Sequence, residues 1–316
     1  MTDYALLVSA RAKAAYFDAY LDVCKTELMG VAGTNLTDHR RIGPMDFLVV
    51  DADAGKLNDL LRLSFVHGIF SVDGSSFMPV DSAPQFRLHE DFVFGAKYRG
   101  KTNETLTQLL INIGLQQIGA ENSDGLKLLD PMCGRGTTLL WGMRYGMHTF
   151  GVEDDAAALT DLRRHLKKWT KLHRVKHHLQ EETQKSSRRR REPVTLTFEA
   201  DDASLRLELG DTTQTEKLAR KKRFDLIVSD LPYGIEHQGP NATRNPLDTI
   251  RDAAPGWVAC LRKGGAMVLS FNRNLPKRPN LEAVFQDLGL TISDLPLAHR
   301  MSESIVRDVL VVKKTA

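Results

Sequence analysis

Two short motifs in the chain combine residue types that could do chemistry together. The first, DPMCGRGT from Asp130 to Thr137, places two glycines directly after an apolar stretch. Gly134 and Gly136 permit a tight turn and let a ligand approach the backbone closely. A helix is predicted to follow, and its unpaired N–H groups would face the same ligand. The motif indicates a cofactor-binding turn, although a plain strand-to-helix turn would use the same glycines.

The second motif is SDLPYG at residues 229–234, at the end of an apolar run that is typical of a buried parallel strand. The exocyclic amine of a nucleobase is a poor nucleophile because its lone pair is delocalised into the ring. Hydrogen bonds to the Asp230 carboxylate and the Leu231 carbonyl would localise that lone pair. Pro232 stiffens the turn, and Tyr233 offers a flat face for an unstacked base. The alternative is a Pro-Gly turn with the tyrosine in the core.

Acidic residues follow two further predicted strands. Glu153 lies 17 residues beyond Gly136, where a carboxylate can accept the ribose hydroxyls of a nucleoside, with Asp154 beside it. Asp155 could instead cap the next helix. A third strand is predicted over residues 194–200, and Asp202 after it could accept the amino group of an adenine. The third glycine of a dinucleotide fingerprint is absent, because position 139 is leucine, and this disfavours a dehydrogenase.

Strand and helix patterns alternate from residue 123 onward, which predicts an α/β fold with a doubly wound, mostly parallel, seven-stranded sheet. Ligands of such sheets bind beyond the carboxyl ends of the strands, where both motifs are predicted to lie. We expect a small α+β domain over residues 1–95 and a connecting helical segment over 96–122. The sheet domain then covers residues 123–316 and carries a basic insertion at 163–191.

Together the motifs resemble those of class I S-adenosylmethionine-dependent methyltransferases with a Rossmann-like sheet. They are most similar to the RNA methylases of the Trm11/THUMP-associated (UPF0020-like) family. DPMCGRGT resembles that family's D-P-x-C-G-x-G-T cofactor loop, and SDLPYG resembles its D-P-P-Y-G catalytic loop. The segment KTNE at 101–104 is similar to the one that helps hold the methionine end of the cofactor. The similarity covers about residues 94–314.

The resemblance implies methyl transfer from S-adenosylmethionine to an exocyclic base amine in RNA, with guanine N2 of tRNA as the first expectation. Adenine N6 in DNA or rRNA, or a cofactor-binding RNA-binding protein without turnover, are the alternatives. Two departures from the family are Leu231, where many relatives have proline, and a short N-terminal unit. The implied catalytic residues are Asp230, Leu231, Pro232 and Tyr233. The implied cofactor-binding residues are Thr102, Asn103, Asp130, Met132, Gly134, Gly136, Thr137, Glu153, Asp154 and Asp202.

The distribution of charge points to a polyanionic partner. The chain has 43 Lys and Arg against 40 Asp and Glu, yet residues 163–191 hold 12 of the basic side chains and only two acidic ones. We expect a long helix over residues 156–179 followed by a loop. The segment would be either a phosphate-binding arm or a solvated helix face with a loop. The predicted RNA contacts are Lys167, Lys171, Arg188, Arg189, Arg190 and Arg191.

Several classes of protein and site are disfavoured. The chain has no apolar run long enough to span a membrane and no N-terminal pattern of a signal peptide, so we expect a cytoplasmic protein. Three dispersed cysteines exclude a disulfide scaffold, and Cys133 lies in the cofactor turn rather than in the loop that faces the base. His173, His177 and His178 lack a carboxylate or cysteine at ligand spacing, so no metal site is predicted. The oligomeric state stays open.

Overall fold

The computed structural model describes residues 2–31, 34–95, 102–185, 191–232, 246–300 and 305–315, with the backbone alone at 184–185 and 191–193. The chain divides into two compact units. The first contains Met1–Gln85 and Leu295–Asp308, and the second contains Phe86–Asp294 and Val309–Ala316. The sequence instead predicted a boundary near residue 95 and a sheet domain that continues to the end of the chain. None of the described helices is both long and apolar enough to cross a membrane.

The first unit is an α+β structure around a five-stranded antiparallel sheet with the order β2-β3-β1-β4-β5. Phe47, Phe70 and Phe77 pack edge-on or tilted against one another on this sheet. The first helix begins after Ser9, whose hydroxyl accepts a hydrogen bond from the Ala12 amide at 3.1 Å. The strands are β1 (Thr2–Val8), β2 (Thr34–Ile42), β3 (Met45–Ala52), β4 (Val66–Asp73) and β5 (Ser76–Pro79), and the helices are α1 (Ala10–Tyr16), α2 (Tyr20–Met29) and α3 (Leu57–Leu61).

The larger sheet has ten strands, most of which lie in the second unit. Its strands are β6 (Lys127–Asp130), β7 (His148–Glu153), β8 (His178–Lys185), β9 (Arg191–Ala200), β10 (Ala203–Leu209), β11 (Phe224–Asp230), β12 (Leu261–Asn272), β13 (Thr291–Ser293), β14 (His299–Arg300) and β15 (Val306–Lys313). The helices are α4 (Asp91–Phe94), α5 (Glu104–Gln117), α6 (Thr137–Arg144), α7 (Ala156–Leu172), α8 (Thr215–Leu218), α9 (Pro246–Cys260) and α10 (Arg278–Gln286). The strand order is β13-β15-β12-β11-β6-β7-β10-β9-β8, with β14 paired to β15.

Five central strands, β10, β7, β6, β11 and β12, run parallel, which confirms the predicted α/β sheet. Most of these strands are apolar on both faces because helices cover both, and the side chains of β11 are buried from Phe224 to Ser229. The predicted count of seven strands is too low. The excess includes an antiparallel hairpin, β8–β9, on the edge beside β10.

The hairpin occupies the sequence that we expected to form a helix end, a loop and the third parallel strand. Helix α7 ends at Leu172, and residues 178–185 form a strand instead of continuing the helix. Residues 194–200 belong to β9, which is antiparallel to both of its neighbours. The alternation of Leu196 and Phe198, both fully buried, was therefore a correct strand signal assigned to the wrong position in the sheet.

Candidate active site

The parallel strands bring the two motifs to one edge of the sheet. Asp130, the last residue of β6, lies opposite Gly151 of β7, and Glu153 follows two residues later. Asp230 ends β11, the neighbour of β6 on its other side, and its partner in β12 is Ser270. The loops after β6, β7 and β11 therefore leave the sheet side by side, as the sequence predicts for a ligand site.

The glycine turn after β6 has the backbone that its sequence requires. Gly134 and Gly136 have φ of 49° and 80°, in the left-handed region that favours glycine. A Cβ at Gly134 would meet no atom within 4 Å, whereas one at Gly136 would approach Leu162 of α7 to 3.1 Å. Gly134 therefore leaves open space above the turn, and Gly136 allows the turn to pack on α7. Helix α6 starts directly afterwards at Thr137.

Glu153 fastens the glycine turn to the end of β7. One carboxylate oxygen accepts the Gly134 amide at 2.8 Å, and the other accepts the amides of Asp154 and Asp155 at 3.1 and 2.9 Å. Burial raises the pKa of Glu153 to about 7 in spite of the Gly134 and Asp155 bonds, which favour the charged form. Asp154 is exposed. Asp155 caps α7 by accepting the Ala157 amide at 2.8 Å, which was the alternative role considered for it.

Asp130 connects the cofactor turn to the catalytic loop. Its side chain is 2% exposed, and its Oδ1 accepts the Met132 amide at 3.1 Å and the Ser229 hydroxyl at 2.7 Å. Burial raises the pKa of Asp130 to about 6, while hydrogen bonds from Ser229, Thr138 and Met132 lower it. The negative charge of Asp230 contributes a smaller part of the increase in the pKa of Asp130.

The catalytic loop begins with Asp230, which is half-buried, and Leu231, which is 1% exposed and packs in the core of the sheet unit. The Leu231 amide donates a hydrogen bond to the Ser270 carbonyl at 2.8 Å. A proline has no N–H and could not make this bond, so the departure from the family motif has a structural role here. Pro232 is half-buried, and Tyr233 lies outside the described residues.

The segment before α5 is held close to α6. Asn103 caps α5 by accepting the Leu106 amide at 3.0 Å, so its side-chain oxygen already has a partner. Trp141 of α6 donates its indole N–H to the Glu104 carbonyl at 2.8 Å, which anchors the first turn of α5. Thr102 is half-buried beside this turn.

Asp202 does not belong to this site. It lies in the turn between β9 and β10, and the next residue but one, Ser204, pairs with His148 at the start of β7. The hydrogen bond and charge of Asp124 raise the pKa of Arg87, and the charge of Asp202 adds a smaller contribution. The structure thus places Asp202 at the amino edge of the parallel strands, opposite the two motifs.

Asp211 occupies the position that was assigned to Asp202. Strand β10 ends at Leu209, which pairs with Glu153, and the Gly210 amide donates to the Glu153 carbonyl at 2.8 Å. Asp211 follows directly and accepts the Thr213 amide and hydroxyl at 2.8 and 2.7 Å. The end of β10 is marked in the sequence by a Gly-Asp pair after an alternating stretch. It was missed because residues 194–200, which belong to β9, had been taken for the third parallel strand.

The two predicted phosphate contacts that can be examined lie on α7. Its inner face is formed by Leu159, Leu162 and Leu166, which are fully buried, and Lys167 and Lys171 are exposed on the outer side. Arg188, Arg189 and Arg190 lie outside the described residues, and Arg191 is described only as backbone at the start of β9.

Residues 97–284, more than half of the chain, match the family model described as UPF0020: RMKL-like, methyltransferase domain. No curated protein matches the chain. Among solved structures, TrmN from Thermus thermophilus is 16% identical with a TM-score of 0.46, over 86% of this chain and 57% of that one. The 16S rRNA N2 methyltransferase RsmC of T. thermophilus, in complex with AdoMet and guanosine, is 19% identical with a TM-score of 0.41, over 94% and 62%. A TehB-like SAM-dependent methyltransferase from Corynebacterium glutamicum is 17% identical with a TM-score of 0.40, over 64% and 87%.

The chain thus spans less than two thirds of the length of TrmN and RsmC. The extent of the family match confirms the methyltransferase prediction made from the two motifs, and with it S-adenosylmethionine as the cofactor. The chain belongs to the UPF0020 family of RMKL-like methyltransferase domains.

Proposed function

We propose that the chain is a cytoplasmic RNA methyltransferase that acts on an exocyclic base amine, with guanine N2 in tRNA as the first substrate to test. The observation that carries the proposal is the pairing of the glycine turn with the Asp230 loop through one buried carboxylate. Asp130 accepts hydrogen bonds from Met132 in the turn and from Ser229, the residue before Asp230. A cofactor on the turn and a base on the loop would therefore meet at one edge of the sheet.

The residues around the turn suit a nucleoside cofactor. The open space above Gly134 accepts a ligand close to the backbone, and Glu153 presents a half-buried carboxyl next to it. A carboxyl of this kind can accept ribose hydroxyls, and Asp211 is placed to bind the base. Met132 is partly buried against the core beside the turn. Thr102 and Asn103 would lie toward the methionine end, and bound S-adenosylmethionine supplies an electrophilic methyl group.

The loop after β11 suits an amine that must become a nucleophile. The Asp230 carboxylate and the Leu231 carbonyl would each accept one N–H of the amine. These two bonds favour a pyramidal nitrogen, whose lone pair is no longer conjugated with the ring. The Leu231 amide bond to Ser270 and the rigid Pro232 fix the position of that carbonyl. Tyr233 would stack on the base. Methyl transfer would then depend on the alignment of the nitrogen with the methyl group. The sulfur would keep the electron pair of its broken bond to carbon, and Asp230 would accept the proton that the methylated nitrogen loses.

The basic segment would supply the affinity for RNA. Lys167 and Lys171 are exposed on α7, and Arg188, Arg189, Arg190 and Arg191 follow them in the sequence of the basic segment. Contacts of lysine and arginine with phosphates release counterions, so binding through this segment should weaken as salt increases. A polynucleotide is therefore a better substrate for this chain than a free nucleoside.

The test combines one variant with analysis of the product. Asp230→Ala should reduce transfer of labelled methyl to RNA by at least 100-fold, while calorimetry shows unchanged binding of S-adenosylmethionine. Asp252→Ala, which removes an exposed carboxylate of α9, is the matched control and should retain full activity. Mass spectrometry of nucleosides should detect N2-methylguanosine. N6-methyladenosine would instead identify adenine as the target, and absence of transfer by the native chain to any RNA would refute the proposed activity.

A further inference from the structure

Three potential metal ligands meet near the end of α7, away from the proposed active site. Asp91 Oδ2 lies 2.9 Å from His173 Nε2 and 3.3 Å from His89 Nδ1. The three ligand atoms all lie within 4.8 Å of one another. His173 follows α7, whereas His89 and Asp91 lie just before and at the start of α4, 82 residues or more earlier in the chain.

The distances between the ligand atoms are close to those found around a tetrahedrally coordinated zinc ion. Zinc binds imidazole nitrogen and carboxylate oxygen at about 2.0–2.1 Å, which separates neighbouring ligand atoms by about 3.3 Å in a tetrahedron. Two of the three separations, 2.9 and 3.3 Å, are already within about 0.5 Å of this value. Only the two imidazole nitrogens have to approach each other, and a rotation of the exposed His89 ring would bring them together.

The hydrogen bonding of His89 directs one ring nitrogen toward Asp91. Its Nδ1 accepts the Asp91 amide at 3.2 Å, so this nitrogen carries a lone pair in that arrangement. The same nitrogen faces the Asp91 carboxylate at 3.3 Å, which puts two acceptors opposite each other. The rings of His89 and His173 are stacked with centroids 3.9 Å apart, so the two imidazoles lie on the same side of the cluster. A cation bound to His89 Nδ1 and to the carboxylate would remove the conflict between the two acceptors.

The setting leaves room for exchange with solvent. His89, Asp91 and His173 are 50%, 33% and 21% exposed, so ions can enter and water can complete the coordination. His173 is also the C-cap of α7, where the negative end of the helix dipole favours a cation. The exposed Lys171 and Arg174 act in the opposite direction. We expect reversible binding rather than a permanently closed structural site.

We propose that His89, Asp91 and His173 bind a divalent transition-metal ion of the zinc, cobalt and nickel class, with water in the remaining position. A donor set of two imidazoles and one carboxylate binds these ions in preference to magnesium or calcium, which favour oxygen ligands alone. The ion would connect the α4 segment to the end of α7. Helix α7 has 17 residues, so the site lies about 25 Å along it from Asp155 at the active-site edge and takes no part in methyl transfer.

The experiment uses the full chain without an affinity tag, freed of metal with a chelator. Titration with Co²⁺ should produce visible d–d absorption that Zn²⁺ abolishes by competition, and Zn²⁺ should raise the midpoint of thermal unfolding. His89→Gln and His173→Gln should each weaken Co²⁺ binding by about 10-fold or more and remove the Zn²⁺-induced thermal shift. His177→Gln is the matched control, because His177 is exposed nearby and bonds the Val175 carbonyl rather than Asp91.

Each variant is compared with itself with and without metal, so a loss of the His173–Asp91 hydrogen bond cannot imitate the result. Circular dichroism of the metal-free variants establishes that they are folded. The proposal is overturned if the native chain gives no cobalt spectrum, or if His177→Gln weakens binding as much as the other two variants do. Binding of S-adenosylmethionine should be the same with and without Zn²⁺.

Discussion

The free energy of unfolding of Asp130→Asn, relative to that of the native chain, should increase as the pH rises. The fold raises the pKa of Asp130 from 3.8 to about 6 because the side chain is buried. A carboxyl whose pKa is raised by folding contributes stability below its unfolded pKa, and that stability is lost as the pH increases through the folded pKa. The difference of about 2 pKa units corresponds to a loss of about 3 kcal/mol at neutral pH and above.

Asparagine has the shape of aspartate without its ionisation. Its side-chain oxygen can still accept the Met132 amide and the Ser229 hydroxyl, so both hydrogen bonds of the native side chain are kept. Any pH-independent cost of the substitution cancels when the two proteins are compared across pH. From the two pKa values, the stability of Asp130→Asn relative to the native chain should increase by about 2 kcal/mol between pH 4.5 and 8.

The assay is urea unfolding followed by tryptophan fluorescence at several pH values. Trp141, Trp169 and Trp257 all lie in the second unit, so the signal reports the unit that contains Asp130. Asp252→Asn, which replaces an exposed carboxylate of α9 in the same unit, is the control for a substitution of this type away from the two motifs. A constant or falling difference for Asp130→Asn would refute the reasoning, because it would mean that burial does not disfavour the ionised form of this residue.

Three further predictions concern the cofactor, the catalytic loop and RNA. Asp211→Ala should weaken S-adenosylmethionine binding about 10-fold or more, whereas Asp202→Ala should leave it unchanged; calorimetry in which both variants behave alike would contradict the assignment. Leu231→Pro should destabilise the second unit by about 1–3 kcal/mol because it removes the amide bond to β12, whereas Leu231→Met, which keeps the N–H, should cost less in the same unfolding assay. The Lys167→Ala, Lys171→Ala double variant should reduce the slope of log affinity for RNA against log salt by about 1.4–1.8, and an unchanged slope would remove α7 from the RNA interface.

The parts of the site that could be predicted from the sequence are those that are contiguous in it. The turn with Gly134 and Gly136 needs only local backbone freedom, and its position after a buried strand follows from the apolar run before it. The same local reasoning offered a helix cap as the alternative role of Asp155, and the Ala157 amide bond shows that cap. In each case the interaction spans a few residues, so the spacing of residue types contains nearly all of the required information.

The hairpin shows where local information ends. An alternating stretch predicts a strand, but it does not say whether that strand is parallel or antiparallel, or which strand it pairs with. Because β9 was taken for the third parallel strand, Asp202 was assigned to the active-site edge, although it lies in the turn at the opposite edge. The His89–Asp91–His173 cluster was missed for a related reason, since the ligands come from segments 82 residues or more apart. The spacing of residues along the sequence does not predict that these two segments are in contact.

Asp130 illustrates how the fold changes the meaning of a conventional assignment. The motif suggests a residue that binds the cofactor directly, yet its buried carboxylate accepts hydrogen bonds from the cofactor turn and from the strand that carries Asp230. Joining the two loops through a buried carboxylate has a high cost in free energy, because the charged form is desolvated. An amide or a hydroxyl could accept the same hydrogen bonds without the burial of a charge. That cost is reasonable if a positive charge arrives during function, since a nearby cation would favour the ionised form. In the proposed function a sulfonium cofactor with an amino group would bring such charges to this edge, so its binding should lower the pKa of Asp130 and strengthen the hydrogen bonds of its carboxylate to Met132 and Ser229.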